Sequence, residues 1–107
     1  MKVLITGATG FIGSHVARLL VTESCEVYAV VRESSDLWRI NDIVPLLHLV
    51  RCDLLVFDEL DPHLERIQPD LCIHVAWYAV PGQYLTTREN LSVLKASLHL
   101  ASRLVDL

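Results

Sequence analysis

The stretch TGATGFIG, residues 6–13, places three glycines between a short apolar run and an amphipathic segment. The apolar run, residues 2–6, is rich in β-branched side chains and is typical of a strand buried on both faces. The stretch is followed by a helical pattern whose apolar face is predicted to be Ile12, Val16, Leu19 and Leu20. Its polar face is predicted to be Ser14, His15, Arg18 and Thr22. Residues 6–13 are therefore predicted to turn a first strand into a first helix.

Each glycine of this turn has a physical use. Gly7 suits a tight turn that needs positive φ. Gly10 carries no side chain, so a pyrophosphate can reach the backbone N–H groups at the helix N-terminus. Gly13 lets the helix pack closely on the strand. In a βαβ unit this pattern predicts a dinucleotide site, the alternative being a merely structural turn. No Gly-Lys-Ser/Thr follows, which excludes a P-loop.

Three further runs are predicted to be strands: 26–32 (EVYAVVR), 47–52 (LHLVRC) and 70–76 (DLCIHVA). Strands that alternate with helices across short connections form a parallel sheet with right-handed crossovers. The expected fold is α/β, the N-terminal half of a Rossmann-like doubly wound sheet with strand order 3-2-1-4. No repeat or composition break occurs, so residues 1–107 are predicted to be one domain.

Three helices are predicted between and after these strands. A short helix, capped by Ser34 or Ser35, runs to about Asp42 and cannot continue through Pro45. A second begins at the pair Asp61-Pro62 and ends near residues 68–69. A third, long helix runs from about residue 86 to the end of the chain.

Composition excludes several classes of protein. The 107 residues are 52% hydrophobic and 21% charged, which is incompatible with a disordered chain. The net charge of −4 and the lack of a basic cluster argue against nucleic-acid binding. Charges interrupt every apolar run before it reaches the length of a membrane span, and the N-terminus does not resemble a signal peptide. The cysteines, Cys25, Cys52 and Cys72, are predicted to be reduced core thiols of a cytoplasmic protein, and the scattered histidines predict no metal site.

Four segments resemble, in the right order, the extended short-chain dehydrogenases/reductases of the NAD-dependent epimerase/dehydratase family. TGATGFIG is similar to the fingerprint T-G-x-x-G-x-x-G. RCDL at 51–54 resembles the acidic "D-L" after the third strand, PDLCIHVA at 69–76 the fourth strand, and ENL at 89–91 the start of the following helix. The resemblance covers essentially the whole chain.

The resemblance implies a nicotinamide dinucleotide cofactor and a set of residues that contact it. Asp53 would contact the adenine ring, and the end of the fourth strand would pass beside the adenosine ribose and the phosphates. The complete predicted set is Gly7, Thr9, Gly10, Phe11, Ile12, Gly13, Arg32, Asp53, Leu54, Val75, Ala76 and Asn90. The alternatives are an Asp53 that caps a loop and an Asn90 that is an ordinary first-turn residue.

Other residues near this edge are interpreted as structural. His74, inside an apolar strand, is predicted to be a core residue, with a functional residue as the alternative. Trp77, Tyr78 and Tyr84 are predicted to cover the core, with the lining of a substrate or nucleotide pocket as the alternative.

The end of the second strand predicts a preference for NADP over NAD. NAD-selective sites place an acid there, where this chain has Val31 followed by Arg32. A guanidinium can bind a 2′-phosphate bidentately, and Ser34, Ser35 and Arg39 add donors nearby. A shift of register would bring Glu33 to the ribose and favour NAD, and Arg32 could also be an ordinary surface charge.

The catalytic residues of the family have no match in this chain. The family uses a serine and a Tyr-x-x-x-Lys, whereas four residues after the tyrosines stand Arg32, Gly82 and Arg88. The chain is therefore expected to be an N-terminal fragment, inactive alone. It would be the cofactor-binding portion of a nucleotide-sugar-type epimerase, dehydratase or reductase. The alternative is a non-catalytic NADP sensor or protein-interaction module.

The last helix predicts a partner. Its polar stripe is Arg88, Ser92, Lys95, His99, Ser102 and Asp106. Two apolar rows remain: Leu91, Leu94, Leu98, Ala101 and Val105, and then Val93, Ala96, Leu100, Leu104 and Leu107. One row can cover the sheet and the other resembles the homodimer contact of the family; one broad apolar face is the alternative. An open edge at the fourth strand and exposed apolar surface are also expected.

Overall fold

A computed structural model describes residues 1–76 and 88–107, and these form a four-stranded parallel sheet with helices on both faces. The strands are β1 (Lys2–Thr6), β2 (Glu26–Val31), β3 (His48–Arg51) and β4 (Leu71–His74). The helices are α1 (Phe11–Thr22), α2 (Phe57–Ile67) and α3 (Glu89–Asp106), with a 3-10 turn at Val44–Leu46. The strand order β3-β2-β1-β4 confirms the predicted topology.

The register brings the carboxyl ends of the strands together. Thr6, the last residue of β1, lies beside Val30 of β2 and His74 of β4. Val31 of β2 in turn lies beside Arg51 of β3. Because the strands are parallel, the loops that leave these ends emerge at one edge, where ligands bind in open α/β sheets.

Both faces of the central strand are covered, as its continuous apolar sequence predicts. On one face Ala17 of α1 packs in a cluster with Ile5, Ala8, Val27 and Ala29. On the other face α2 and α3 contribute Leu60, Leu64, Ile67 and Leu100 to a cluster with Leu4, Val30, Val50 and Cys52. Alternate residues of β1 thus serve opposite layers.

The predicted buried face of α1 is wrong in part. Ile12 and Leu19 are 66% and 61% exposed, whereas Gly13, Ser14 and Ala17 are buried. The helix approaches the turn after β1 so closely at Gly13 that small residues lie at this contact, while Val16 and Leu20 pack half-buried against the same cluster as predicted. Burial of Ser14 is tolerated because its hydroxyl donates to the Phe11 carbonyl oxygen at 2.8 Å.

The helix predicted to follow β2 is also wrong. Residues 34–42 form turns, and Pro45 lies inside the 3-10 turn rather than beyond a helix. The Ser35 hydroxyl accepts a hydrogen bond from the backbone N–H of Arg32 at 3.0 Å. A serine that bonds back to a preceding residue stabilises a turn instead of capping a helix.

Helix α2 begins at Phe57, four residues before the predicted start, although it ends where predicted. Pro62 lies within the helix, and the carbonyl that it leaves without an intrahelical partner is that of exposed Asp58. Asp61, predicted as the cap, instead accepts a hydrogen bond from His99 of α3 at 2.7 Å. Gln68 ends the helix in the left-handed conformation with φ 50°.

Helix α3 separates its two apolar rows as predicted. Ala96 and Leu100 of the inner row are buried against the sheet and α2. The outer row is exposed, from 45% at Leu94 to 86% at Val105. The predicted open edge is present at β4, which pairs only with β1 in the described residues and exposes Leu71.

Three aromatic residues that the sequence analysis singled out lie in the gap between the described ranges. Trp77, Tyr78 and Tyr84 lie outside the described residues. Within residues 1–76 and 88–107, no helix combines the length and the apolar character that crossing a membrane requires.

Candidate functional site

The turn after β1 needs glycine at its first position for two reasons. Gly7 has φ +77°, a conformation that side chains rarely adopt. A Cβ at Gly7 would also lie 2.7 Å from the backbone nitrogen of Ala76 and 2.9 Å from the carbonyl carbon of Val75. The turn therefore lies directly against the backbone that leaves β4, which confirms the role predicted for Gly7.

Gly13 and Gly10 differ in what surrounds them. A Cβ at Gly13 would lie 1.9 Å from the Gly7 carbonyl oxygen, so Gly13 allows the close packing of α1 on the turn. A Cβ at Gly10 would meet only the Gly7 oxygen, at 3.4 Å, an ordinary contact distance. Packing therefore explains Gly13, whereas Gly10 leaves open space beside the turn.

The N-terminus of α1 presents backbone donors to that space. Gly10 is the N-cap, and in the described part of the chain no side chain caps the helix. The first N–H groups of a helix have no acceptor within it, and the helix dipole makes this end favourable for an anion. No acidic residue lies in the first turn to compete for it. These features fit a phosphate group.

A cleft of about 790 Å³ opens at this end of α1, over the carboxyl ends of the strands. All the predicted cofactor contacts except Asn90 line it, namely Gly7, Thr9, Gly10, Phe11, Ile12, Gly13, Arg32, Asp53, Leu54, Val75 and Ala76. The other lining residues are Val30, Val31, Ser35, Cys52, Leu55, His74, Glu89, Val93, Ala96 and Ser97. Asn90 is half-buried at the second position of α3, next to Glu89.

At the β2 end of the cleft, Arg32 and Ser35 line the wall together. Arg39, predicted as a further donor to the ligand, has another role. Its guanidinium donates to the Thr9 carbonyl oxygen at 3.1 Å and stacks over Trp38. Arg39 therefore braces the glycine turn from outside the cleft.

The loop that carries Arg39 is itself tied to α1. Arg18 donates through both terminal nitrogens to the carboxylate of Asp42, at 2.6 and 2.7 Å, and also to the Arg39 carbonyl oxygen. The hydrogen bonding between the Arg18 guanidinium and the Asp42 carboxylate raises the pKa of Arg18 and lowers the pKa of Asp42. The irregular loop that replaces the predicted helix thus has a defined position.

Asp53 caps its loop, which was the alternative considered for it, and it also lines the cleft. Its Oδ1 accepts from the backbone N–H of Leu55 at 2.9 Å, which caps the loop. Its own backbone N–H donates to Oε2 of Glu59 at 2.9 Å. The half-buried residue also lines the cleft, so loop capping holds the carboxylate at the cleft wall.

The cysteines are free thiols. Burial raises the pKa of Cys52 to about 11, with Glu59 and Asp53 adding to the shift, and burial raises the pKa of Cys72 to about 11. Both stay protonated at neutral pH. In the part of the chain that the structure describes, no group of histidine, cysteine and acidic side chains could hold a metal ion.

His74 is not a core residue, contrary to the prediction. It is exposed at the end of β4 and lines the cleft, and both its ring nitrogens are hydrogen-bonded. Partial burial of the ring lowers the pKa of His74 below 6.5. Sequence analysis missed this role, and that of its partner Ser97, because the partner lies 23 residues away.

The sequence of residues 3–107 matches the model of the NAD dependent epimerase/dehydratase family. The chain belongs to this family. An uncharacterized Saccharomyces cerevisiae protein, YLL056C, is 43% identical over 54 residues, which are 50% of this chain and 18% of the yeast protein.

Solved structures of epimerases share the fold of this family member. The UDP-glucose 4-epimerase of Stenotrophomonas maltophila, with bound NAD and formylated UDP-arabinopyranose, is 24% identical with a TM-score of 0.81. The alignment covers 99% of this chain and 34% of that one. The UDP-glucose 4-epimerase of Thermus thermophilus, in complex with NAD, is 23% identical with a TM-score of 0.77, over 96% of this chain and 33% of that one. This family member thus spans about a third of the length of these epimerases.

Proposed function

We propose that this chain binds NAD(P) in the cleft at residues 6–13 and is the cofactor-binding portion of a nucleotide-sugar epimerase, dehydratase or reductase. The observation that carries the proposal is the glycine turn, which brings the uncapped N-terminus of α1 to the cleft. Membership of the family and the NAD bound to epimerases of the same fold support the choice of ligand. The nucleotide-sugar substrate rests on the family and these relatives alone.

In this proposal the backbone N–H groups of residues 11–13 bind the pyrophosphate. Arg32, Asp53 and Leu54 hold the adenosine end, and Val75 and Ala76 form the wall behind the glycine turn. Asn90 is proposed as a contact because its neighbour Glu89 lines the cleft. The bound nicotinamide would supply reversible hydride transfer. No residue of this chain is assigned a catalytic role.

We also propose that the site prefers NADP, with NAD as the alternative. Arg32 lines the cleft, whereas Glu33 is exposed and is not a lining residue in the described part of the chain. The backbone N–H of Arg32 donates to the hydroxyl oxygen of Ser35 at 3.0 Å, and this bond fixes the backbone position from which the Arg32 side chain extends. A bidentate contact between guanidinium and 2′-phosphate would then favour NADP.

Titration of the 107-residue chain with NADPH and NADH, followed by cofactor fluorescence, tests both proposals. A charged hydrogen bond contributes about 1.5–3 kcal/mol, so Arg32→Asp should weaken NADPH binding by about 10-fold or more and leave NADH binding less affected. Glu33→Gln is the matched control and should preserve the preference. If neither cofactor binds at millimolar concentration, the binding proposal fails. If Arg32→Asp leaves the ratio of affinities unchanged, only the NADP assignment fails.

The outer apolar row of α3 supports a second proposal, that the chain pairs with a copy of itself. Leu91, Leu94, Leu98 and Val105 are exposed along one side of a helix whose other side covers the sheet. Sedimentation should show a dimer that Leu98→Glu dissociates and that Ser102→Glu, on the polar stripe, does not. A monomeric wild-type chain would refute the homodimer, and the outer apolar row would then be the surface that binds a different protein, as in a sensor or interaction module.

The free cysteines fit the proposed cytoplasmic location.

A further inference from the structure

His74 joins three elements of the fold through its ring. Its Nδ1 lies 2.5 Å from the hydroxyl oxygen of Thr6, at the end of β1, and its Nε2 lies 2.7 Å from the hydroxyl oxygen of Ser97, on α3. The Thr6 hydroxyl oxygen also accepts hydrogen bonds from the backbone N–H groups of Val75 and Ala76, at 3.1 and 3.2 Å. The Ser97 hydroxyl donates to the Val93 carbonyl oxygen at 2.9 Å.

These partners determine where each proton lies. The Thr6 hydroxyl oxygen accepts from the N–H of Ala76 and shares the N–H of Val75 with the Thr6 carbonyl oxygen, so its single hydrogen is available for donation to Nδ1 of His74. The Ser97 hydrogen is committed to the carbonyl of Val93, so Nε2 of His74 must donate to the Ser97 oxygen. The chain of hydrogen bonds is complete only with a neutral ring protonated at Nε2.

The same atoms define two walls of the cleft. The backbone of Val75 and Ala76, held by Thr6, is the surface on which Gly7 packs. Val93, Ala96 and Ser97 of α3 also line the cleft. The ring of His74 connects the two, and its bond to Ser97 is a direct polar link between β4 and α3.

We propose that His74 is a positioning residue for the dinucleotide: as the neutral Nε2–H tautomer it fastens α3 to the β1–β4 edge and so sets the width of the cleft. This inference rests on the proposed function, since it concerns the affinity for that cofactor. It also predicts a proton-dependent site, because a second proton would have to be placed on Nδ1, where Thr6 donates.

The groups around the ring favour its neutral form. β1 presents the uncharged Thr6, α3 presents Ser97, and β4 itself carries the protonated thiol of Cys72 two residues earlier. Glu89 of α3 also lines the cleft, and a carboxylate acts in the opposite direction, toward the charged ring. Burial is the cause that lowers the pKa of His74, so the neutral ring persists to a lower pH in the folded chain than an unperturbed histidine would allow.

The test combines four variants with a pH series of dinucleotide titrations. His74→Asn keeps an acceptor at the position of Nδ1 but cannot reach Ser97, and His74→Gln can reach Ser97 but loses the acceptor for Thr6. Ser97→Ala removes the α3 end of the link, and Ser92→Ala, on the exposed side of α3, is its matched control. A hydrogen bond contributes about 0.5–1.5 kcal/mol, so His74→Asn and Ser97→Ala should each weaken binding by about 2- to 10-fold, while Ser92→Ala leaves it unchanged.

The pH series separates positioning from a merely structural role. Wild-type affinity should be constant at neutral pH and fall on acidification as one proton is taken up, and His74→Gln should lack this step. The ring ¹⁵N resonances of the wild-type chain should show the Nε2–H tautomer, which keeps the inference testable if a variant fails to fold. If the wild-type chain binds dinucleotide, but the affinity and pH profile of the variants match it, the inference fails and the proposed function stands. An Nδ1–H tautomer would also overturn the inference. If the wild-type chain binds no dinucleotide, the proposed function fails and the inference with it.

Discussion

Replacing Gly13 by alanine should destabilise the chain although alanine is the better helix former. The added Cβ would lie 1.9 Å from the Gly7 carbonyl oxygen and 2.5 Å from its carbon, where contacts below 3.0 Å are essentially never seen. Both opposing atoms are backbone, so no side chain can rotate away and α1 must retreat by about 1 Å. Overpacking of this kind costs about 1–3 kcal/mol or more, against a helix gain of at most about 1 kcal/mol.

We therefore expect Gly13→Ala to lower the free energy of unfolding by about 2 kcal/mol and the Tm by about 10 °C. Urea and thermal unfolding, followed by far-ultraviolet circular dichroism, measure both quantities. Gly10→Ala is the matched control: its Cβ would be 3.4 Å from the same oxygen, so stability should stay within about 1 kcal/mol of wild type. Because Gly10 lines the cleft, that variant should instead weaken dinucleotide binding at least about tenfold. A Gly13→Ala chain as stable as wild type would refute the packing argument.

Three further perturbations test other parts of the molecule. Thr6→Val should lower the free energy of unfolding by about 1–3 kcal/mol in urea, because it leaves the backbone N–H of Ala76 without its acceptor, whereas Thr6→Ser should not; the N–H of Val75 keeps the Thr6 carbonyl oxygen. Stability should fall as pH rises from 9 toward 11, because the unfolded chain ionises Cys52 first, and Cys52→Ala should remove that part of the decline. Asp61→Ala should destabilise the chain by about 1–2 kcal/mol through loss of its 2.7 Å bond to His99, and exposed Glu65→Ala by less. Each interpretation would be contradicted if the two chains being compared lost the same free energy of unfolding: Thr6→Val and Thr6→Ser, wild type and Cys52→Ala at high pH, or Asp61→Ala and Glu65→Ala.

The strands and the glycine turn could be predicted because their sequence signals are local. A strand buried on both faces is a continuous apolar run, and a glycine at position 7 tolerates the positive φ that the turn adopts. The same local reasoning found most of the cleft, because parallel strands bring their carboxyl ends to one edge. The predicted set from Gly7 to Ala76 lines it.

The failures have tertiary causes. The amphipathic pattern of α1 suggests a wide apolar face with Ile12 and Leu19, but the close approach at Gly13 turns the small residues toward the sheet. The early start of α2 depends on packing of Leu60 and Leu64, which outweighs the cap signal at Asp61. Propensity is a weak guide where burial of a larger surface opposes it.

His74 shows what a sequence pattern cannot supply. Its neighbours in sequence are apolar, and this suggested a core residue. Its role depends on Thr6, 68 residues earlier, and on Ser97, 23 residues later, which only the folded chain brings to its two nitrogens.

The central claim is that the uncapped N-terminus of α1 receives the pyrophosphate of a nicotinamide dinucleotide. The most direct measurement is a titration of the ¹⁵N-labelled chain with NAD and NADP, followed through its assigned backbone amide resonances. We expect saturable shifts at residues 7–13 and at Val75 and Ala76, and we expect Gly10→Ala to weaken them. Shifts confined to other surfaces, or none at millimolar cofactor, would contradict it.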